Sequence, residues 1–208
     1  MNNNKLAAFS LVEVTLALGV AGFCLLAVFA LLPIGVKTNQ TSFSQTAAAT
    51  ILSDVVADMR TVPKSYDNAQ TYSVGASVWS AGLCYTAITV TTGHSPPNAA
   101  YWSSGFVCSQ YAISFTDRTD RYFDSEGRCS CDQAGTQKLS SNGTCSDTWN
   151  PAIQPRYHVV IKFPSATTNA SCARVVITWP AIANIVDPAA TDAPAAGSIE
   201  TVAAFDRL

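Results

Sequence analysis

The sequence predicts an α+β fold in which one long N-terminal helix, with a membrane half and an amphipathic half, packs on an antiparallel β-sheet domain carrying a disulfide-bearing loop. Three observations predict it. Residues 14–36 run for 23 positions without a charge. Apolar residues then recur at steps of four up to Met59. From Thr71 onward the apolar pattern changes to period two, with six of the seven cysteines scattered through the polar remainder.

The first stretch, VTLALGVAGFCLLAVFALLPIGV, exceeds the ~20 apolar residues a helix needs to cross a bilayer core. A secretory signal has an apolar core of only ~7 to 15 residues behind a basic region. Here the core is longer, and an acid, Glu13, stands at its mouth. Pro33 and Gly35 predict a kink or a locally melted turn where the segment leaves the lipid. Beyond it, Phe43, Ala47, Ile51, Val55 and Met59 form one row and Ala48, Leu52 and Val56 its neighbour, which together make one apolar face. Ser53, Asp54, Ala57 and Asp58 fall mostly on other faces, and Pro63 ends the helix, since the residue before proline is driven out of the helical region. A helix from about Phe9 to Arg60 spans roughly 75 to 80 Å.

Strands are predicted at residues 83–92 and 105–116 around a GHSPPN turn, and at residues 156–163, where Tyr157, Val159, Ile161 and Phe163 share a face. Residues 173–179 and 198–205 complete a set of five to seven strands. Hairpin-length connections favour an antiparallel sheet with one face on the helix. Residues 124–151 read as a cysteine-rich loop and residues 187–197 as a Pro and Ala spacer.

Charged residues make up 12% of the chain, about half the usual ~25%. The net charge is −2 and the pI about 5.5, with no long basic cluster, so nucleic acid is not an expected partner. Cys24 lies in the apolar run and reads as a small packing residue. Cys84, Cys108, Cys129, Cys131, Cys145 and Cys172 are the even number a disulfide framework needs, which points to an oxidising compartment. Among the possible pairings we expect Cys131 with Cys145, Cys84 with Cys108, and hence Cys129 with Cys172. A zinc site would need C-x2-C-type ligand pairs with histidine near them, and His94 and His158 are distant in sequence. Asp117, Asp120, Asp124 and Glu126 cluster near a turn but lack calcium-loop spacing. No G-x-S-x-G, H-E-x-x-H or phosphate-binding glycine loop occurs. We therefore expect no catalytic residues, metal, cofactor or small-molecule substrate.

The residues that carry most weight are Ala8-Phe9-Ser10-Leu11-Val12-Glu13-Val14 followed by the apolar run. They resemble the N-terminal signal of type IV prepilins, in which a polar leader ends in a small residue, Phe follows, and an acid occupies the fifth mature position. The leader ends in Ala rather than the usual Gly and has one lysine, Lys5, where several basic residues are common. The segment LALGVAGFCLLAVFALLPIGVKTNQ is also similar to the opening of the Verru_Chthon cassette protein B type of minor pilin-like protein. The resemblance implies cleavage between Ala8 and Phe9 by a prepilin peptidase and N-methylation of Phe9. It further implies assembly with other pilin or pseudopilin subunits through the N-terminal helix. On this reading residues 1–8 are a leader peptide, 9–36 a transmembrane and filament-core helix, 37–62 an amphipathic helix, and 63–208 the β domain. The chain would cross the cytoplasmic membrane once, with its C-terminal domain extracytoplasmic.

Physical chemistry fits this implication, because a carboxylate in hydrocarbon costs ~2.5 to 3.5 kcal/mol on insertion scales and calls for a partner. The freed amine of Phe9, one helical turn from Glu13, could supply it from the same chain or a neighbour. A different class of function, a membrane-tethered binding or adhesion domain that never polymerises, is the alternative the sequence also allows.

Overall fold

The computed structural model describes residues 10–113, 115, 118–140, 144–164, 172–181 and 195–204. The elements are α1 (Leu11–Thr61), β1 (Thr71–Tyr72), β2 (Ser77–Ser80), β3 (Leu83–Thr86), β4 (Thr91–Thr92), β5 (Arg118–Phe123) and β6 (Cys129–Ser130), followed by β7 (Gln137–Leu139), β8 (Cys145–Thr148), β9 (Tyr157–Lys162), β10 (Cys172–Trp179) and β11 (Gly197–Ala204). By contacts the chain divides into two compact units, 1–44 and 45–208.

Helix α1 opens where the Ser10 carbonyl accepts the amides of Glu13 and Val14. An acid in the first turn and Arg60 in the last both complement the helix dipole. The helix continues through Pro33 without a break in its assignment, so no melted turn forms there. A proline removes one backbone hydrogen bond, but the leucine- and alanine-rich run that precedes it favours the helix. Thr38, Thr41 and Ser42 return their hydroxyls to carbonyls four residues earlier, which satisfies them without an outside partner.

In the second unit a five-stranded antiparallel sheet has the order β11-β10-β9-β5-β6. One face carries Tyr157, Val159 and Ile161 from β9 with Ala173, Val175, Ile177 and Trp179 from β10. These share one core with Ala48, Ile51, Val55, Met59 and Val62 of the helix side. The helix stripe therefore recurs at steps of three and four, and Ala47, Leu52 and Val56 flank it, partly buried. This is the α+β layout of one long N-terminal helix, its later part packed on an antiparallel sheet. Phe43, which belongs to the same row by spacing, is exposed.

A second, smaller cluster of Tyr72, Val78, Tyr85, Ala87 and Trp102 holds the segment between α1 and β5. Here β2 and β3 form a hairpin whose two-residue loop, Ala81 and Gly82, has φ of 50° and 88°. Two consecutive positive φ values are the type I′ geometry that matches strand twist.

Several expectations need correction. Residues 83–92 are two short strands rather than one. Residues 105–113 are not a strand but an irregular segment with one bridge, Cys84 to Phe106, and a turn at Gln110 and Tyr111. The interior strand β5, RTDRYF, carries none of the apolar alternation that would announce it, and instead pairs with β9 along its whole length. The cysteine-rich loop also contains structure, a hairpin of β7 and β8. Most of the Pro and Ala spacer lies outside the described residues.

Candidate functional site

Sequence and structure single out the exposed first part of α1 and, separately, the polar groups built into the sheet-bearing unit. Ala8 and Phe9, the expected cleavage and methylation positions, lie outside the described residues. Glu13 sits in the first turn of α1, exposed, and among the described residues its carboxylate has no hydrogen-bond or ion-pair partner. From Leu11 to Val36 fifteen large apolar side chains are exposed, from 46% at Val14 to 83% at Leu11. Burying a Val, Leu or Phe side chain is worth ~1.5 to 3 kcal/mol. The whole surface therefore stands to gain on the order of 20 to 45 kcal/mol from an apolar environment. Such a helix belongs in lipid or against other helices, and α1 is long and apolar enough to cross a membrane.

Two of the three expected cysteine pairings are made, and the third is not. Cys84 pairs with Cys108, and Cys131, ahead of β7, pairs with Cys145 at the loop end of β8. These two disulfides mark the sheet-bearing unit as one of an oxidising, extracytoplasmic compartment. The third expected pairing, Cys129 with Cys172, is not made, and Cys24 is free and exposed. The sheet keeps Cys129 and Cys172 apart: β6 and β10 are separated by β9 and β5, roughly three strand spacings or ~14 Å. Cys129 is also registered through Phe123 to Tyr157, beside the His158 and Thr178 pair, six residues or ~20 Å along β10 from Cys172. A disulfide needs Cα atoms within ~7 Å. Burial pushes the Cys129 thiol up to about 12, against the pull of Arg121, and leaves it an inert packing group.

Comparison with protein-family models, with curated proteins and with solved structures finds no match to this chain. Its functional reading therefore rests on the residues themselves.

Asp58 was expected on an outer face of α1 but is 8% exposed. It lies three residues after Val55 and four before Val62, inside the buried stripe. Its carboxylate accepts the Ser109 hydroxyl at 2.6 Å, the Gln110 amide at 2.7 Å and the Tyr111 amide at 3.3 Å. Arg121 of β5 grips the same turn from the other side, donating to the carbonyls of Tyr111 at 2.6 Å and Ala112 at 2.7 Å. An acid on the helix and a base on the sheet thus hold the turn that follows the Cys84–Cys108 bridge.

On the sheet face turned away from this core, His158 Nε2 meets Asp120 Oδ1 at 2.8 Å, and its ring stacks on Tyr122 at 4.5 Å. Arg118 completes the group with two bonds to Asp120. Burial raises the Asp120 carboxyl, but the hydrogen bonds from His158 and Arg118 outweigh it and hold it at about 2. Asp124 accepts the amides of Glu126 and Arg128 and the Arg128 guanidinium, and Glu126 meets the same guanidinium at 3.4 Å. Asp120, Asp124 and Glu126 therefore do not converge on a common point but serve intramolecular partners; Asp117 lies outside the described residues. His94 stacks on Tyr101 and bonds Thr91, as part of the smaller cluster's margin.

Proposed function

We propose that this protein is a minor pilin or pseudopilin, cleaved after Ala8 by a prepilin peptidase, N-methylated at Phe9 and assembled into a type IV pilus-like or type II secretion-like filament. The observation that carries the reading is a single helix with two environments. From Leu11 to Val36 it exposes apolar side chains all round, with Glu13 unpaired among the described residues at its start. From Ala48 onward one stripe of the same helix is buried by a disulfide-bearing sheet. A helix of this kind can rest in a membrane and then exchange lipid for neighbouring helices, because both surround it with hydrocarbon. Glu13 would supply the specificity: an acid in hydrocarbon is costly unless a cation meets it, and the Phe9 amine of an adjacent subunit stands at a suitable depth.

Before assembly the chain would be a single-pass protein of the cytoplasmic membrane with its sheet-bearing unit outside. The test is the mature N-terminus, read by mass spectrometry of protein isolated from its native membrane. N-methylated Phe9 is the expected result, and an intact Met1 overturns the reading in favour of a membrane-tethered binding domain. Glu13→Val should leave membrane insertion and protein level unchanged while removing the protein from sheared filaments; incorporation like the parent's would refute the pairing of Glu13 with an amine.

A further inference from the structure

Strand β11 is an outer strand of the five-stranded sheet among the described residues. It pairs with β10 in unbroken register from Cys172 opposite Ala204 to Trp179 opposite Gly197. Among the described residues nothing hydrogen-bonds its other edge. A row of unpaired amides and carbonyls is a template for a further strand, and proteins that leave such an edge unused blunt it with lysine, proline, a bulge or brevity. β11 has eight residues, no proline, no lysine and no bulge. Its single charge, Glu200, is engaged sideways by Arg174 at 2.6 and 2.8 Å, and Val202 is 65% exposed.

We propose that this edge pairs with β11 of a second copy of the chain, antiparallel and centred on Thr201, so that one sheet runs through two subunits. Charge complementarity selects the partner and the register. On the sheet face away from α1, register aligns Arg118, Lys162, Arg174 and Val202 in one row across four strands. The adjacent row holds Asp120, Val160, Val176 and Glu200. Lys162 has no ion-pair partner among the described residues.

Centring a twofold pair on Thr201 sets Val202 of each copy opposite Glu200 of the other. Each basic row then continues into the acidic row of its neighbour. Centring on Glu200 would oppose two carboxylates directly, which is destabilising. Centring on Val202 would run basic row into basic row and pair a shorter stretch. The Thr201 register also covers Val202, the most exposed apolar side chain of the strand, and engages residues 198–204. This pairing is independent of the filament reading, since it uses only the sheet edge.

The full-length chain in detergent tests it by disulfide trapping in a Cys24→Ala, Cys172→Ser background. Thr201→Cys should give a covalent dimer at least tenfold more abundant than Ile199→Cys or Ala203→Cys on the same face. A mixture of the last two variants should crosslink to each other. Charge supplies a second arm. Val202→Glu places a carboxylate opposite Glu200 of the second copy and should abolish the dimer, although within its own chain it lies beside Arg174 and leaves the fold intact. Val202→Lys should keep the dimer, whereas a lysine on an edge used in any other way should block it. Equal crosslinking at positions 199, 201 and 203, or equal behaviour of the Glu and Lys variants, overturns the proposal. Capture of a different protein without self-crosslinking would assign the edge elsewhere and also overturn it.

Discussion

Replacing Asp58 by alanine removes the acceptor of two short hydrogen bonds, from the Ser109 hydroxyl at 2.6 Å and the Gln110 amide at 2.7 Å, and of a longer one from Tyr111. Hydrogen bonds to a charged group contribute ~1.5 to 3 kcal/mol each. Part of that returns, because Gln110 is exposed and its amide can turn to water, and because a buried carboxylate no longer has to be desolvated. The buried Ser109 hydroxyl has no such recourse. We expect a net loss of about 3 to 4 kcal/mol for Asp58→Ala and about 1 to 2 for Asp58→Asn, whose amide oxygen still accepts one donor. The assay is urea unfolding of a fragment from residue 37 onward, which retains the whole described core, followed by tryptophan fluorescence with the disulfides intact. At a slope near 2 kcal/mol/M, alanine should lower the midpoint by roughly 1.5 to 2 M. The same latch requires that Asp58→Ala and Ser109→Ala be coupled by about 1 kcal/mol or more in a double-mutant cycle. A change under about 1 kcal/mol for the alanine variant, or additivity within ~0.3 kcal/mol, would refute the reasoning.

Acid should weaken the fold through Asp120. Its folded pKa of about 2 lies below the ordinary aspartate value of 3.8, so its contribution is present above the unfolded pKa and is lost as pH falls through the folded one, between about pH 4 and pH 2. We expect about 1 to 2 kcal/mol after allowing for solvent screening, and Asp120→Asn should flatten that part of the stability profile. Thiol labelling of native protein should modify half-buried Cys129 more slowly than half-buried Cys172, because desolvation pushes the Cys129 thiol up to about 12, and labelling of the two at equal rates would contradict that shift. Gly197→Ala should cost about 2 kcal/mol or more, because a methyl group there overlaps the Trp179 indole. Ala81→Asn should raise the free energy of unfolding by about 0.5 to 1 kcal/mol, because asparagine tolerates the positive φ of the turn better than alanine does.

What the sequence determined by itself are the three elements with the strongest local periodicity. The uncharged run 14–36, the stripe from Ala48 to Met59 and the alternation in YHVVIKF each report which side of an element meets hydrocarbon or core, and each element lies where its pattern places it. Only the tertiary structure decided β5, whose run RTDRYF shows no apolar alternation. Its side chains find partners that the local sequence does not announce: Arg121 the carbonyls of the turn beyond Ser109, Asp120 and Tyr122 the ring of His158, while Arg118 bonds Asp120 along the same strand. Asp58 was hidden for the same reason, since its donors lie more than fifty residues ahead in the chain. The cysteine pairing shows the limit in its simplest form. An even count suggested three bridges, but a disulfide is a condition on distance, and strand order alone keeps Cys129 and Cys172 beyond each other's reach.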